Sequence, residues 1–248
     1  MPDRGQTEVV GYVLVFSVVI LTVALVTVSG QAGLAEARDT QQTANLEEGF
    51  TVLAANVDDV VHDGVPGRST ELSLSGGKLS LGSPVTVSVT AESGGTNVFD
   101  ESRSYRPIVY RPDSGTELAY ANGAVIARGE SGGTTMLRRP RMLLSTERTL
   151  VPVVNTTLNR RQFRGRAESV DSESRVLVRT EQRTRQTRRT DRQVNLTVEI
   201  TSPRATAWRE YFEAELATSC AQTGDTVTCP YSTDEATVVL TRIAVSFD

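Results

Sequence analysis

Apart from its carboxylates, this 248-residue sequence has few of the residues that most often act as bases or nucleophiles, with one His, one Lys and two Cys. The one histidine is His62 and the one lysine is Lys78, every other basic residue being arginine. His62 stands beside Asp63 at the end of a helical pattern, where an imidazole more often meets the helix dipole than serves as a base. The stretch "SGGKLS" is not a phosphate loop: it lacks the first glycine, and Leu79 stands where Ser or Thr must follow the lysine. No G-x-S-x-G elbow and no G-x-G-x-x-G turn occurs. Carboxylates are plentiful, yet no spacing singles out a pair for two-acid hydrolysis. The sequence therefore argues against an enzyme, and it implies no cofactor and no metal.

Cys220 and Cys229 flank "AQTGDTVT", with a Gly-Asp turn signal at its centre. Strands running both ways from that turn would let the two thiols face each other and close a hairpin, which requires an oxidising compartment. Two reduced, buried thiols are the other reading, and metal binding is disfavoured because no histidine completes a ligand set. Asn155-Thr156-Thr157 and Asn195-Leu196-Thr197 satisfy the N-glycosylation pattern, which matters only outside the cell.

Charge is unevenly spread. From Arg138 to Arg192 there are 15 arginines against 6 acids, in a chain whose formal charge is −4. Such asymmetry steers association with an acidic partner: nucleic acid, sugar acids or a neighbouring subunit's acidic face. Specific nucleic-acid binding is the weaker reading, because "RVLVRTEQRTRQTRRTDRQVNL" has no aromatic to stack a base. Its two ends alternate apolar and polar residues, so the stretch reads as two strands joined by a charged tip near Gln186 to Arg189, or as one long exposed ribbon. An acidic, arginine-rich surface suits high salt; a GC-rich coding bias explains it equally well.

The elements that would carry these groups change character along the chain. From Val9 to Ala35 there is no charged residue, a run of 27 positions. About 20 helical residues span a bilayer core, and a cleavable signal has an apolar region of only roughly 7 to 15. Beyond it Leu46, Phe50, Leu53, Ala54, Val57, Val60 and Val61 recur at steps of three and four, a helical stripe ended by Gly64 and Pro66. Past Gly67 the period becomes 2. "TELSLSGGKLSL" predicts a hairpin about Gly76-Gly77, and "TELAYANGAVIA" another about Asn122-Gly123. "PVTVSVTA", "RTLVPVV", "VNLTVEI" and "ATVVLTRIAVSF" predict strands. "SPRATAWREYFEAEL" predicts a helix capped by Ser202, with Trp208, Tyr211, Phe212 and Leu216 on its apolar face.

The segment Arg4-Gly5-Gln6 directly before the apolar run resembles the cleavage region of archaeal type IV pilin-like precursors, whose class III signal is cut after a glycine on the cytoplasmic side. That resemblance implies a leader ending at Gly5, a new N-terminus at Gln6, and retention of Val9 to Val28 as an assembly helix. Glu8 would then stand third in the processed chain, where many pilins have their Glu fifth. More broadly, "RGQTEVVGYVLVF", "RPIVYRPDSGTELAYANGAVIARG", "LVPVV", "SPRATAWREYFEAEL" and the ending "IAVSF" together resemble a haloarchaeal family of membrane-anchored pilin-like proteins.

The expected fold class is α+β. It comprises a leader at residues 1–5, a helix at 6–64 (transmembrane over 9–29, amphipathic over 34–62) and a mostly antiparallel, sandwich-like head at 68–248. The resemblance implies a single-pass surface protein of structural or adhesive role, with its head outside the cell. Its partners would be membrane lipid, a prepilin peptidase and other pilin-like subunits in a surface filament. The alternative is an unprocessed single-pass envelope protein whose β-domain binds or senses a ligand.

Overall fold

The computed structural model describes residues 4–74, 76–113, 115–159, 169–171 and 175–247, with side chains described at all of these except 4–10, 28–39, 169–171 and 183. In chain order the elements are α1 (Arg4–His62), β1 (Gly67–Ser73), β2 (Lys78–Leu81), β3 (Val85–Ser93), β4 (Thr96–Tyr105), β5 (Ile108–Arg111), β6 (Glu117–Ala121), β7 (Ala124–Arg128), β8 (Thr134–Arg138), β9 (Arg148–Leu158), β10 (Ser169–Asp171), β11 (Arg175–Thr190), β12 (Val194–Thr201), α2 (Ala205–Leu216), β13 (Ala221–Thr223), β14 (Thr226–Thr233) and β15 (Glu235–Phe247). The protein is α+β, with a β-rich and mostly antiparallel body. Its strands form sheets ordered β1-β11-β15-β9, β10-β2-β5-β6-β7-β8 and β13-β14-β12-β3-β4, and among the named pairs only β9 and β15 run parallel.

The chain divides into two compact units, Met1–Ala44 and Asn45–Asp248. In the first, every residue of α1 from Gly11 to Thr27 is exposed, including Val13, Leu14, Val15 and Phe16 in succession. The aliphatic hydroxyls of this stretch turn back onto the helix: Ser17, Thr22 and Thr27 donate to the carbonyls of Val13, Val18 and Val23 at 2.7, 2.9 and 2.8 Å. Among the described residues no helix is long and apolar enough to cross a membrane.

The second unit begins inside α1, because from Leu46 onward the stripe is buried. Leu46, Phe50, Leu53, Ala54, Val57, Val60 and Val61 join a core with Val154, Val176, Val178, Ile243, Val245 and Phe247 of the four-stranded sheet and with Leu79, Ile108, Leu118 and Tyr120 of the six-stranded sheet. The opposite face of the four-stranded sheet carries Val151, Val153, Ala236, Val238 and Leu240 into a second core. That core adds Val85, Val87 and Val89 of β3, Val198 and Ile200 of β12, and the α2 aromatics Trp208, Tyr211 and Phe212. The four-stranded sheet is therefore a central layer buried on both faces, which explains why β15 reads as nearly continuous apolar sequence instead of a clean alternation.

Local signals succeed where the partner is close in sequence. Asn122 and Gly123 take positive φ and join β6 to β7 with Ala121 opposite Ala124. The expected hairpin about Gly76-Gly77 does not form: β1 pairs with β11, and β2 pairs with β5 and β10. The two glycines, at φ +74 and +73, instead carry the chain from one sheet to another. The expected charged tip near Gln186 is likewise absent. β11 runs unbroken through it, and the turn comes only after Thr190. β11 pairs with β1 and β15, whereas β12 pairs with β3 and β14. The α2 helix also starts later than Ser202: its N-cap is Arg204, and the Ser202 hydroxyl accepts from the Arg204 amide at 3.1 Å.

Candidate functional site

Where the core of the central sheet runs out, its face turns polar. Val153 and Leu240 are register partners and core residues; two positions further along each strand, Asn155 and Arg242 are partners on that same face. Arg242 also faces Thr184 of β11, and Leu240 faces Gln186. A break in register between Gln182 and Thr184 puts these β11 residues here, since Val176 and Val178, before it, point to the other core. From the five-stranded sheet, β4 brings Glu101, Arg103 and Tyr105 on alternate positions, so that all three share one face.

Two adjoining hollows result. One, of about 500 Å³, is lined by residues including Ser104, Tyr105, Arg106, Asn155, Thr157 and Arg242. The other, of about 170 Å³, is lined by Arg103, Val153, Asn155, Thr184, Gln186 and Arg242, among others. Asn155 and Arg242 belong to both, so the hollows form one cleft that meets at this pair.

Its walls are fixed by ion pairs and carbonyl contacts. Glu101 is buried and receives Arg188 Nε at 2.7 Å and Arg103 Nη2 at 2.9 Å, which ties β11 to β4 beside the cleft. Arg106 donates to the Leu81 and Gly82 carbonyls at 2.6 and 3.0 Å, and its own carbonyl accepts from Thr156 Oγ1 at 2.5 Å. Burial pushes the Tyr105 hydroxyl well above its ordinary range, with Arg204 pulling the other way. That hydroxyl has no hydrogen-bond partner among the described residues, and on the shared face two further groups stand out. Asn155 Oδ1 is buried and has no hydrogen-bond partner among the described residues. Arg242 is exposed, and among the described residues its guanidinium has no ion-pair partner.

The residues singled out in the sequence lie elsewhere, apart from Asn155 and Gln186. Gly5 and Gln6 fall within the backbone of α1, where side chains are not described, and residues 1–3 of the expected leader lie outside the described residues. Cys220 and Cys229 are joined by a disulfide that closes the β13–β14 hairpin, with Cα atoms 4.6 Å apart. Asn195 is exposed on β12, its Oδ1 accepting from Ser232 Oγ at 2.8 Å. His62 Nδ1 lies 3.2 Å from the Asp58 carbonyl at the end of α1. The arginine-rich strand is extensively matched: Arg175 by Glu71, Arg188 by Glu101, and Arg189 by Asp191 and Glu235. Among the described residues no group of His, Cys, Asp and Glu could hold a metal ion. Arg242 was the readable clue that sequence reasoning passed over, a lone charge inside the apolar strand "VVLTRIAVSF".

The profile of DUF7289, a family of unknown function, matches residues 4–246. The chain belongs to the DUF7289 family. No curated protein and no solved structure matches it. The DUF7289 match spans both the exposed apolar stretch of α1 and the β-rich body.

Proposed function

We propose that this chain is a type IV pilin-like cell-surface protein, anchored or assembled through its N-terminal helix, with a structural or adhesive role. The observation that carries the reading is the apolar girdle of α1. Residues 13 to 16 are all large, apolar and exposed, and at 100° per residue they cover the whole circumference of the helix. A helix apolar on every side needs burial all round, which lipid or a bundle of like helices supplies. The back-bonded hydroxyls of Ser17, Thr22 and Thr27 remove the polar groups that such an environment would penalise.

Side chains are described over 17 residues of this girdle, Gly11 to Thr27, whereas the uncharged run in the sequence covers 27, Val9 to Ala35, against about 20 needed to span a bilayer core. The Cys220–Cys229 bond suits an oxidising exterior, which supports placing the body outside the cell. Membrane lipid, a prepilin peptidase acting after Gly5 and other pilin-like subunits are the partners this reading calls for, in a haloarchaeal setting.

The mature N-terminus tests it. Mass spectrometry of the protein from its native membrane is expected to find Gln6 first; Met1 or Pro2 would overturn processing. Filament membership is a separate matter, and isolated surface filaments lacking the chain would leave only the anchor. The cleft favours a second reading, an unprocessed single-pass envelope protein whose β-domain binds a ligand.

A further inference from the structure

We infer that the cleft between β4 and the central sheet binds a carboxylate-bearing saccharide, such as a uronic acid unit of an acidic glycan. The inference stands on the body alone and does not depend on the anchor or on processing at Gly5.

Chemistry on the cleft's shared pair selects the ligand. Arg242 offers a planar set of N–H donors with no carboxylate among the described residues to take them, which suits bidentate pairing with an incoming carboxylate. Asn155 Oδ1 is buried and lacks a donor among the described residues, and a buried acceptor left unpaired is costly. A sugar hydroxyl supplies that donor. Because Asn155 and Arg242 are register partners on one face, a single ring bearing both a carboxylate and hydroxyls can reach both.

The rest of the lining agrees. Ser104, Thr157, Thr184 and Gln186 are neutral groups that both donate and accept, as hydroxyl-rich ligands require. Glu101, the carboxylate beside the cleft, is already bound by Arg103 and Arg188 and does not repel an anion. The larger hollow, at about 500 Å³, lies within the roughly 300–1,000 Å³ usual for small-molecule sites. A nucleic acid is a poorer fit, because Tyr105, the aromatic of the lining, is buried and offers no face for a base to stack on. An acidic peptide supplies the carboxylate but not the cluster of hydroxyls.

Calorimetric titration of the full chain in detergent with oligogalacturonate tests this, using a neutral glucose oligomer and polyglutamate as comparisons. Binding of oligogalacturonate is expected, weakening as salt rises, with at least tenfold loss of affinity in Arg242→Ala and in Asn155→Asp. Arg139→Ala, at the surface pair with Glu215, is expected to change nothing. Arg242 is exposed and has no ion-pair partner among the described residues, so its variant should melt like the parent and report on binding only. Absence of oligogalacturonate binding, equal binding of polyglutamate or of the neutral oligomer, or undiminished affinity in both cleft variants would each overturn the inference.

Discussion

Asp58 on α1 and Arg138 on β8 form an ion pair at 2.6 Å across 80 residues of sequence. The Asp58 side chain is only 4% exposed, and Arg138 also donates to the Gly123 carbonyl at 3.3 Å, so one guanidinium joins the helix, the β6–β7 turn and the edge of the six-stranded sheet. Removing one member strands a buried charge. Asp58→Ala is expected to destabilise the body by about 3 kcal/mol, and the Asp58→Ala/Arg138→Ala double variant by less than the sum of the singles. Urea unfolding followed by circular dichroism reads both.

Gly77 sits at φ +73, and a Cβ built there would lie 2.3 Å from the Arg111 carbonyl oxygen, backbone that cannot move aside cheaply. Gly94, at φ +58, has open space around it. Gly77→Ala is expected to cost roughly 3 kcal/mol or more, and Gly94→Ala about 1 kcal/mol, since the latter bears only the conformational penalty. Melting temperatures of the two variants measured side by side test the difference.

The Cys220–Cys229 bond closes a loop with a sequence separation of 9. Reducing it, or replacing both cysteines by serine, is expected to cost about 2 to 3 kcal/mol. Alkylation of the unfolded, unreduced protein should label no cysteine, and labelling after reduction should reach both.

Stability should fall at alkaline pH. Burial pushes the Tyr231 hydroxyl up to about 12, and burial moves Tyr105, Tyr120 and Tyr211 in the same direction. An unfolded chain releases these protons near pH 10 while the folded body keeps them, so the stability is complete below about pH 10 and is lost as pH rises through 12. Tyr231→Phe should make that decline shallower, at a cost of about 1 kcal/mol at neutral pH from the lost contact with Thr149 at 3.1 Å. Unfolding free energies measured between pH 8 and about 12 decide it.

Of the two glycosylation patterns, Asn195 is the better placed for a modifying enzyme: it is exposed on β12, whereas Asn155 is half-buried and recessed in the cleft. Glycopeptide mass spectrometry of protein from a glycosylating source should find any glycan on Asn195 and leave Asn155 unmodified.

What the sequence made legible was whatever depends on near neighbours. Alternation in "PVTVSVTA" yields β3, the Gly224-Asp225 turn aligns Cys220 with Cys229, and the step of three and four from Leu46 to Val61 marks the buried face of α1. Partner choice was not legible. Leu72 and Leu79 do enter one core, as a hairpin would require, but they reach it from different sheets. The start of α2 moved because Arg204 is drawn in by Glu117, 87 residues away, a contact no local capping rule contains. The cleft was hidden for the same reason. Asn155 carried a modification motif and Arg242 carried none, and only the parallel pairing of β9 with β15 sets them side by side.

That pairing also governs when the body can form. β15 lies between β11 and β9, both of which leave the ribosome before it does. Until Glu235 to Phe247 are made, β9 and β11 have no common neighbour and the layer dividing the two cores has a gap at its centre. The segments held together span most of the chain, a topology that folds slowly. The central sheet can therefore close only once β15 is made, whereas the other two sheets need no strand from it. A chain ending before Glu235 would lack Ala236, Val238 and Leu240 from one core and Ile243, Val245 and Phe247 from the other.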